Sequence, residues 1–187
     1  GQMMEKVTLS PQRPRRTEAE IEEECKSWAI FGKTPDRPRN VITSLELRSE
    51  EMEKINLRLQ AKYKAMEENE VRYEAIECDD ADYVIVAFGS SARICSATVE
   101  LARNEGLKVG LLRPITLYPF PTKAIAELAT RVKGILSAEL NAGQMVQDVK
   151  LAVNGAVPVE HYGRQGGSLF TPDEVLQALK DKIINRG

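Results

Sequence analysis

With 187 residues, the chain has room for one sizeable domain plus an extension, or for two very small domains, and the pattern described below favours the first. Its 26 basic and 28 acidic residues leave a net charge of −2, so no global field favours nucleic acid or an anionic membrane as a partner. Cys25, Cys78 and Cys95 lie far apart with no C-x-x-C pair, which excludes a zinc framework or an iron–sulfur run and suits reduced thiols in a cytoplasmic protein. No apolar stretch approaches the ~20 residues that span a bilayer, so a soluble chain is expected. The opening Gly1-Gln2-Met3-Met4 has neither the basic start nor the apolar run of a signal peptide; Gly1 reads as a cloning remnant and is left out of the fold reasoning.

Residues 1–40 carry Pro11, Pro14, Pro35 and Pro38 among Arg13, Arg15, Arg16, Arg37 and Arg39, with one apolar island at Trp28-Ala29-Ile30-Phe31. Such a segment is poorly equipped to fold alone and reads as a linker and N-terminal extension. Its arginines suit a solvated linker or an anion-binding arm. Trp28, beside Ile30 and Phe31 in a polar stretch, is expected to dock on this chain's own core or on another domain. Residues 41–81 read as a short strand at Val41-Ile42-Thr43-Ser44 and a long helix from Arg48 to Glu70, dense in Glu, Lys, Arg and Gln. Met52, Ile55, Leu59 and Met66 form one narrow stripe, which predicts one-sided packing on the domain's own surface or on a partner subunit.

Residues 82–187 alternate. Tyr83-Val84-Ile85-Val86-Ala87-Phe88 is a buried strand, and Ser91 to Asn104 is a helix with Ile94, Thr98 and Leu101 on one face. A strand from Leu107 to Leu112, a helix from Pro121 to Thr130, a strand from Val132 to Ala138, a helix from Gly143 to Val153 and a strand from Val157 to His161 follow. The last helix has the clearest start, since Thr171-Pro172-Asp173-Glu174 supplies an N-cap threonine, proline at the first helical position and a glutamate that completes a capping box. Near-continuous apolar strands separated by helices predict a parallel sheet covered on both faces, a three-layer α/β/α sandwich of Rossmann-like kind. In such sheets chemistry belongs to the loops at the carboxyl ends of the strands.

Three of those loops are candidates. In Gly89-Ser90-Ser91-Ala92-Arg93, glycine allows a tight turn, and Ser90 or Ser91 can cap the next helix or its N-terminus can hold an anion; G-x-G-x-x-G and the P-loop ending are both absent. In Glu139-Leu140-Asn141-Ala142-Gly143-Gln144, polar groups concentrate where a crevice opens. Glu139, if buried, is expected to titrate high and serve acid–base work, or to pair with Arg93 or Arg113 and tie loops together. In His161-Tyr162-Gly163-Arg164-Gln165-Gly166-Gly167-Ser168, glycine-freed amides beside a guanidinium suit a phosphate or carboxylate cradle, or simply a sharp bend. His161 is the single histidine, and nothing at suitable spacing makes it a metal ligand or part of a triad, so it reads as packed at a strand end. Tyr118 and Phe120, held between prolines in Leu117-Tyr118-Pro119-Phe120-Pro121, suit core closure or an interface hot spot.

Taken in order, Gly89 to Arg93, Thr116 to Pro121, Ala138 to Met145, and Gly163 to Gly167 followed by Thr171-Pro172-Asp173-Glu174 resemble the C-terminal part of the α chain of 2-oxoacid:ferredoxin oxidoreductases, most nearly the branched-chain, 2-oxoisovalerate type. The likeness runs from about Trp28 to Lys182. It implies a domain like the C-terminal domain of transketolase, with a mostly parallel five-stranded sheet, one strand antiparallel, between helices. It implies a complex that decarboxylates a 2-oxoacid, transfers the acyl group to coenzyme A and passes electrons to ferredoxin. Thiamine diphosphate, magnesium and iron–sulfur clusters would be its cofactors, and a thiamine-diphosphate-binding β chain, a γ chain and a ferredoxin-like δ chain its partners.

This chain departs from the family in lacking the G-D-G…N pattern for magnesium diphosphate, clustered cysteines and the long N-terminal domain of the α chain. It is therefore expected to hold no catalytic residue, metal or cofactor of its own and to be inactive alone. The resemblance implies that Ser90, Ser91, Arg93, Asn141, Gly143, Arg164, Gly166, Gly167 and Ser168 are candidate anion or coenzyme A contacts, and that Glu139, Gln144, Tyr118 and Phe120 face a crevice or a neighbouring chain. A 2-oxoglutarate-specific member, and a non-enzymatic nucleotide-binding or docking module of the same fold, are the competing readings.

Overall fold

The computed structural model describes residues 9, 16–26, 28–30, 32, 35, 38–39, 41 and 43–186. The chain divides into two units, 1–55 and 56–187, and the division falls inside a helix. In the first unit, α1 (Glu18–Cys25) begins at a capping box: the Thr17 hydroxyl accepts from the Glu20 amide, and the Glu20 carboxylate accepts from the Thr17 amide at 2.7 Å. This helix lies within the 1–40 segment read from the sequence as a linker and N-terminal extension. Trp28 is 55% exposed and Ile30 fully exposed, while Phe31 lies outside the described residues. Of the strand expected at 41–44, the described residues Val41, Thr43 and Ser44 belong to no ladder, and Ile42 lies outside the described residues. The long helix is α2 (Ser49–Asn69), in which no residue is fully buried.

The second unit holds a five-stranded sheet of β1 (Tyr73–Ile76), β2 (Tyr83–Val86), β3 (Val109–Pro114), β4 (Gly134–Glu139) and β5 (Val159–Gly163), in the order β1-β3-β2-β4-β5. β2, β3, β4 and β5 run parallel, and β1 pairs antiparallel with β3 from Tyr73 opposite Pro114 to Ile76 opposite Leu111. The edge strand β1 lies ahead of Asp82, so the sheet reaches back beyond the 82–187 range that the alternation marks. It is short, interrupted by Glu74 and mostly exposed, so it carries none of the apolar run that reveals its neighbours.

Between the strands run α3 (Gly89–Asn104), α4 (Thr122–Ala129), α5 (Met145–Val153) and α6 (Pro172–Lys182). Successive side chains on a strand point to opposite faces. Accordingly Ile85, Leu111, Leu136 and Ala138 pack under α3 and α6, whereas Val84, Val86, Leu112 and Ile135 pack under α4 and α5. The three-layer sandwich read from the sequence is the one observed. Two arginines fix the β1–β2 turn: Arg103 donates to the Glu77 carbonyl and the Asp80 carboxylate, each at 2.7 Å, and Arg131 donates to the Cys78 and Asp79 carbonyls, each at 2.8 Å.

Candidate functional site at the sheet's carboxyl edge

From β2 the chain steps to β3 on one side and then returns to β4 on the other. This reversal parts the loops at the carboxyl end of β2, and a crevice is expected there. A cavity of about 160 Å³ occupies the position, lined by Phe88 after β2, Leu117 and Phe120 after β3, and Glu139, Asn141, Gln144, Met145 and Asp148 from the end of β4 into α5. Ser137 and Glu139 share one face of β4, two residues apart, and this places both side chains toward the start of α5.

Glu139 is completely buried. Its carboxylate accepts hydrogen bonds from the amides of Gln144 at 3.1 Å, Met145 at 2.8 Å and Val146 at 2.9 Å, and from the Ser137 hydroxyl at 3.0 Å. Burial by itself would raise the pKa of this carboxyl, but the three backbone donors and Ser137 outweigh it and hold the value below the ordinary carboxylate level. Both sequence expectations for Glu139 are thereby corrected. It titrates low, which unfits it for acid–base work near neutrality, and its partners are peptide amides instead of an arginine; Arg113 bonds Glu74 at 2.9 Å. In effect Glu139 is an internal anion seated on the N-terminus of α5, filling a position that a phosphate would otherwise use.

The remainder of that loop is equally self-contained. Asn141 Oδ1 accepts from the Gly143 amide at 2.7 Å, with Gly143 at φ +102°, where glycine is strongly favoured. So the amide of Gly143, expected to receive an anion, already has an internal acceptor, as does the amide of Gln144, expected to face a crevice. The end of β5 presses against this turn: a Cβ on Gly163 would stand 2.3 Å from the Asn141 carbonyl oxygen and 2.8 Å from that of Glu139, so only glycine fits. His161 lies within β5, not at its end. Its Nε2 is buried without a hydrogen-bond partner, 4.0 Å from Glu139 Oε1.

The other two candidate loops stand apart from the cavity. Ser90 and Ser91 lie inside the first turn of α3, whose N-cap is Phe88 and receives no side-chain hydrogen bond, so neither serine caps the helix. Gly89, at φ +55°, makes the turn; Ser91 is buried, and Ser90 and Arg93 are exposed. Arg164 Nη2 bonds Glu174 Oε1 at 2.5 Å, and Glu174 also completes the Thr171 capping box. The guanidinium expected in an anion cradle thus braces the start of α6. Gly166 and Gly167 adopt positive φ in an exposed turn closed by the Ser168 amide on the Gln165 carbonyl at 3.3 Å. Tyr118 is 56% exposed and meets Tyr63 edge to face, with ring centroids 6.2 Å apart, whereas Phe120 is half-buried at the cavity.

Sequence reading missed Ser137, Phe88 and Asp148. Ser137 was recoverable from the i, i+2 relation to Glu139, whereas Phe88 and Asp148 carried no signal until the loops were placed. No three or more His, Cys, Asp or Glu side chains cluster to hold a metal among the described residues. With the α5 amides and Arg164 also internally engaged, these residues do not fit magnesium diphosphate or an iron–sulfur cluster. No described helix is long and apolar enough to cross a membrane.

The family model for the pyruvate:ferredoxin oxidoreductase core domain II matches residues 81–175. Among curated proteins, the ketoisovalerate oxidoreductase subunit VorB of Methanothermobacter marburgensis is 44% identical over 155 residues, a match covering 83% of this chain and 44% of that protein. The 2-oxoglutarate synthase subunit KorA of the same organism is 35% identical over 101 residues, covering 54% and 27%. Among solved structures, 2-oxoglutarate:ferredoxin oxidoreductase from Magnetococcus marinus with 2-oxoglutarate, coenzyme A and succinyl-CoA bound aligns with a TM-score of 0.62 at 20% identity, covering 79% of this chain and 28% of that one. A split-gene transketolase, as an inactive β4 tetramer, aligns with a TM-score of 0.52 at 17% identity, covering 60% and 41%. These structural likenesses show the shared fold. The chain spans about 44% of the length of the VorB relatives it matches. Because the family match takes in more than half of the chain and contains β2 through to the start of α6, the chain belongs to the pyruvate:ferredoxin oxidoreductase core domain II family.

Proposed function

We propose that the chain is the transketolase C-terminal-like part of the α subunit of a 2-oxoacid:ferredoxin oxidoreductase of the branched-chain type, and that it serves assembly instead of catalysis. The observation that carries this is the 44% identity over 83% of the chain to a ketoisovalerate oxidoreductase subunit, against 35% over 54% for a 2-oxoglutarate synthase subunit. The internal saturation of the Glu139 carboxylate by four donors supports a non-catalytic role, because a group held this way has no lone pair to offer a substrate. In the whole complex, thiamine diphosphate with magnesium would supply the decarboxylation chemistry, coenzyme A would accept the acyl group, and iron–sulfur clusters would lead electrons to ferredoxin; these belong to the β, γ and δ chains or other domains. Contact with coenzyme A or a partner chain at this edge falls to the exposed Ser90, Gly166, Gly167 and Ser168. Cys25, Cys78 and Cys95 are unpaired, which supports placement in the reducing cytoplasm.

The test is to co-express the full α subunit with its partner chains and to assay coenzyme A-dependent reduction of an acceptor with 2-oxoisovalerate, 2-oxoglutarate and pyruvate. The expected result is preference for 2-oxoisovalerate, no turnover by this chain alone, and loss of activity when residues 82–187 are deleted. Preference for 2-oxoglutarate would move the protein to the synthase type that its KorA relatives represent. Activity indifferent to the deletion would remove the assembly role.

A further inference from the structure

Beside the switch-point cavity lies a second, larger groove of about 730 Å³, between the end of α2 and the loop that follows β3. The two share Leu117, Phe120 and Asp148, so they form one continuous surface. Its floor is apolar and unusually open to solvent: Tyr118 is 56% exposed, Leu117 47% and Tyr73 44%. Its rim carries Glu67, Glu68, Glu127 and Asp148 against the single cation Lys123. None of these four carboxylates has a basic partner among the described residues, although acidic groups elsewhere in this unit, such as Glu74, Asp80 and Glu174, are paired.

We propose that this groove docks an extended, arginine-bearing segment of a partner chain, with one arginine entering the cavity between Phe120 and Asp148. Charge complementarity selects the occupant. Covering four unpaired carboxylates with a neutral or acidic surface would strip their water with nothing in return, whereas guanidinium groups pair with carboxylates and also stack on aromatic faces. Size selects its form, since a helix ~10 Å across would fill the groove in under two turns, whereas extended chain follows it into the cavity one side chain at a time. The proline-braced aromatics Tyr118 and Phe120 supply anchors that lose little entropy on docking. This inference rests on the chain being one part of a larger assembly, but not on which 2-oxoacid that assembly uses.

The first test titrates this chain with a capped peptide of alternating arginine, leucine and proline, and with its counterpart bearing glutamate for arginine, while amide chemical shifts are followed by NMR. The expected result is saturable shifts at the amides of Leu117, Tyr118, Phe120 and Asp148 with the arginine peptide alone, the binding weakening by about tenfold or more as salt is raised. The double variant Glu67→Lys, Glu68→Lys lies on α2, which has no buried residue, so it should fold normally and should weaken binding by about tenfold. Equal shifts from both peptides, salt-independent binding, or an unaffected double variant would each overturn the proposal. The second test places a photo-crosslinking phenylalanine at position 118 in the assembled complex. Crosslinking to a partner segment that contains arginine supports the proposal, and crosslinking to an acidic or purely apolar segment, or none, overturns it. If the acceptor-reduction assay fails while the peptide binds, the enzymatic reading fails alone; the reverse result spares that reading and removes this one.

Discussion

A fully buried carboxylate is tolerable when every direction in which it would meet water is replaced by a donor, and Glu139 meets that condition with three amides and a hydroxyl. Its folded-state pKa is depressed from the ordinary value of 4.5, so the stability it contributes is present above that value and is lost as pH falls through the folded pKa. Glu139→Gln keeps the volume but offers one acceptor oxygen where two stood, and turns an amide donor toward peptide donors. The variant is expected to lose about 2–4 kcal/mol at neutral pH by urea denaturation. It should also lose less further stability than the parent on acidification below pH ~4, because the titrating group is gone. A parent and variant with equal stability at neutral pH would show that the carboxylate is not what holds α5 to β4. The sequence placed a glutamate at the right strand end but misjudged its partners. A helix N-terminus can satisfy a carboxylate as well as an arginine can, and nothing in the one-dimensional pattern tells which will be nearer.

At the level of elements, legibility followed the strength of the local code. Thr171-Pro172-Asp173-Glu174 states a helix start in its own residues, and α6 begins there with both reciprocal hydrogen bonds in place: Glu174 accepts from the Thr171 amide at 2.7 Å, and Thr171 accepts from the Glu174 amide at 3.3 Å. Thr171→Ala should therefore cost about 1 kcal/mol, read as a lowered urea midpoint with unchanged slope. A larger loss would mean that Arg164, which bonds the same glutamate, also depends on the box. The serines after Gly89 obey the same capping preference yet sit two and three residues past the N-cap, because α3 starts at Gly89, with its positive φ, before they are reached. β-branched Val41-Ile42-Thr43 suggested a strand, but propensity cannot supply a ladder partner, and the described Val41 and Thr43 have none. Tyr73-Glu74-Ala75-Ile76, with weaker propensity, has one in β3.

For the whole molecule, the position of β1 decides where the domain can be cut. β3 lies between β1 and β2, with Leu111 and Leu112 fully buried, and Cys78 and Ala81 in the turn after β1 are buried as well. Removing residues 1–81 would strip that cover, leave a row of unpaired backbone groups along β3, and take from Arg103 and Arg131 the carbonyls they hold. Removing residues 1–55, at the division between the units, leaves the entire sheet. The 56–187 piece is therefore expected to be monomeric and to unfold in one cooperative urea transition, whereas 82–187 should aggregate on size-exclusion chromatography or melt at lower denaturant by several kcal/mol, more than its shorter length alone explains. Equal stability of the two pieces would return the domain edge to Asp82, where the apolar alternation begins. The same comparison bears on assembly: if 82–187 aggregates, its loss of function in a complex would reflect an exposed strand edge, and only the 56–187 piece could show whether the groove and the carboxyl-edge loops engage a partner by themselves.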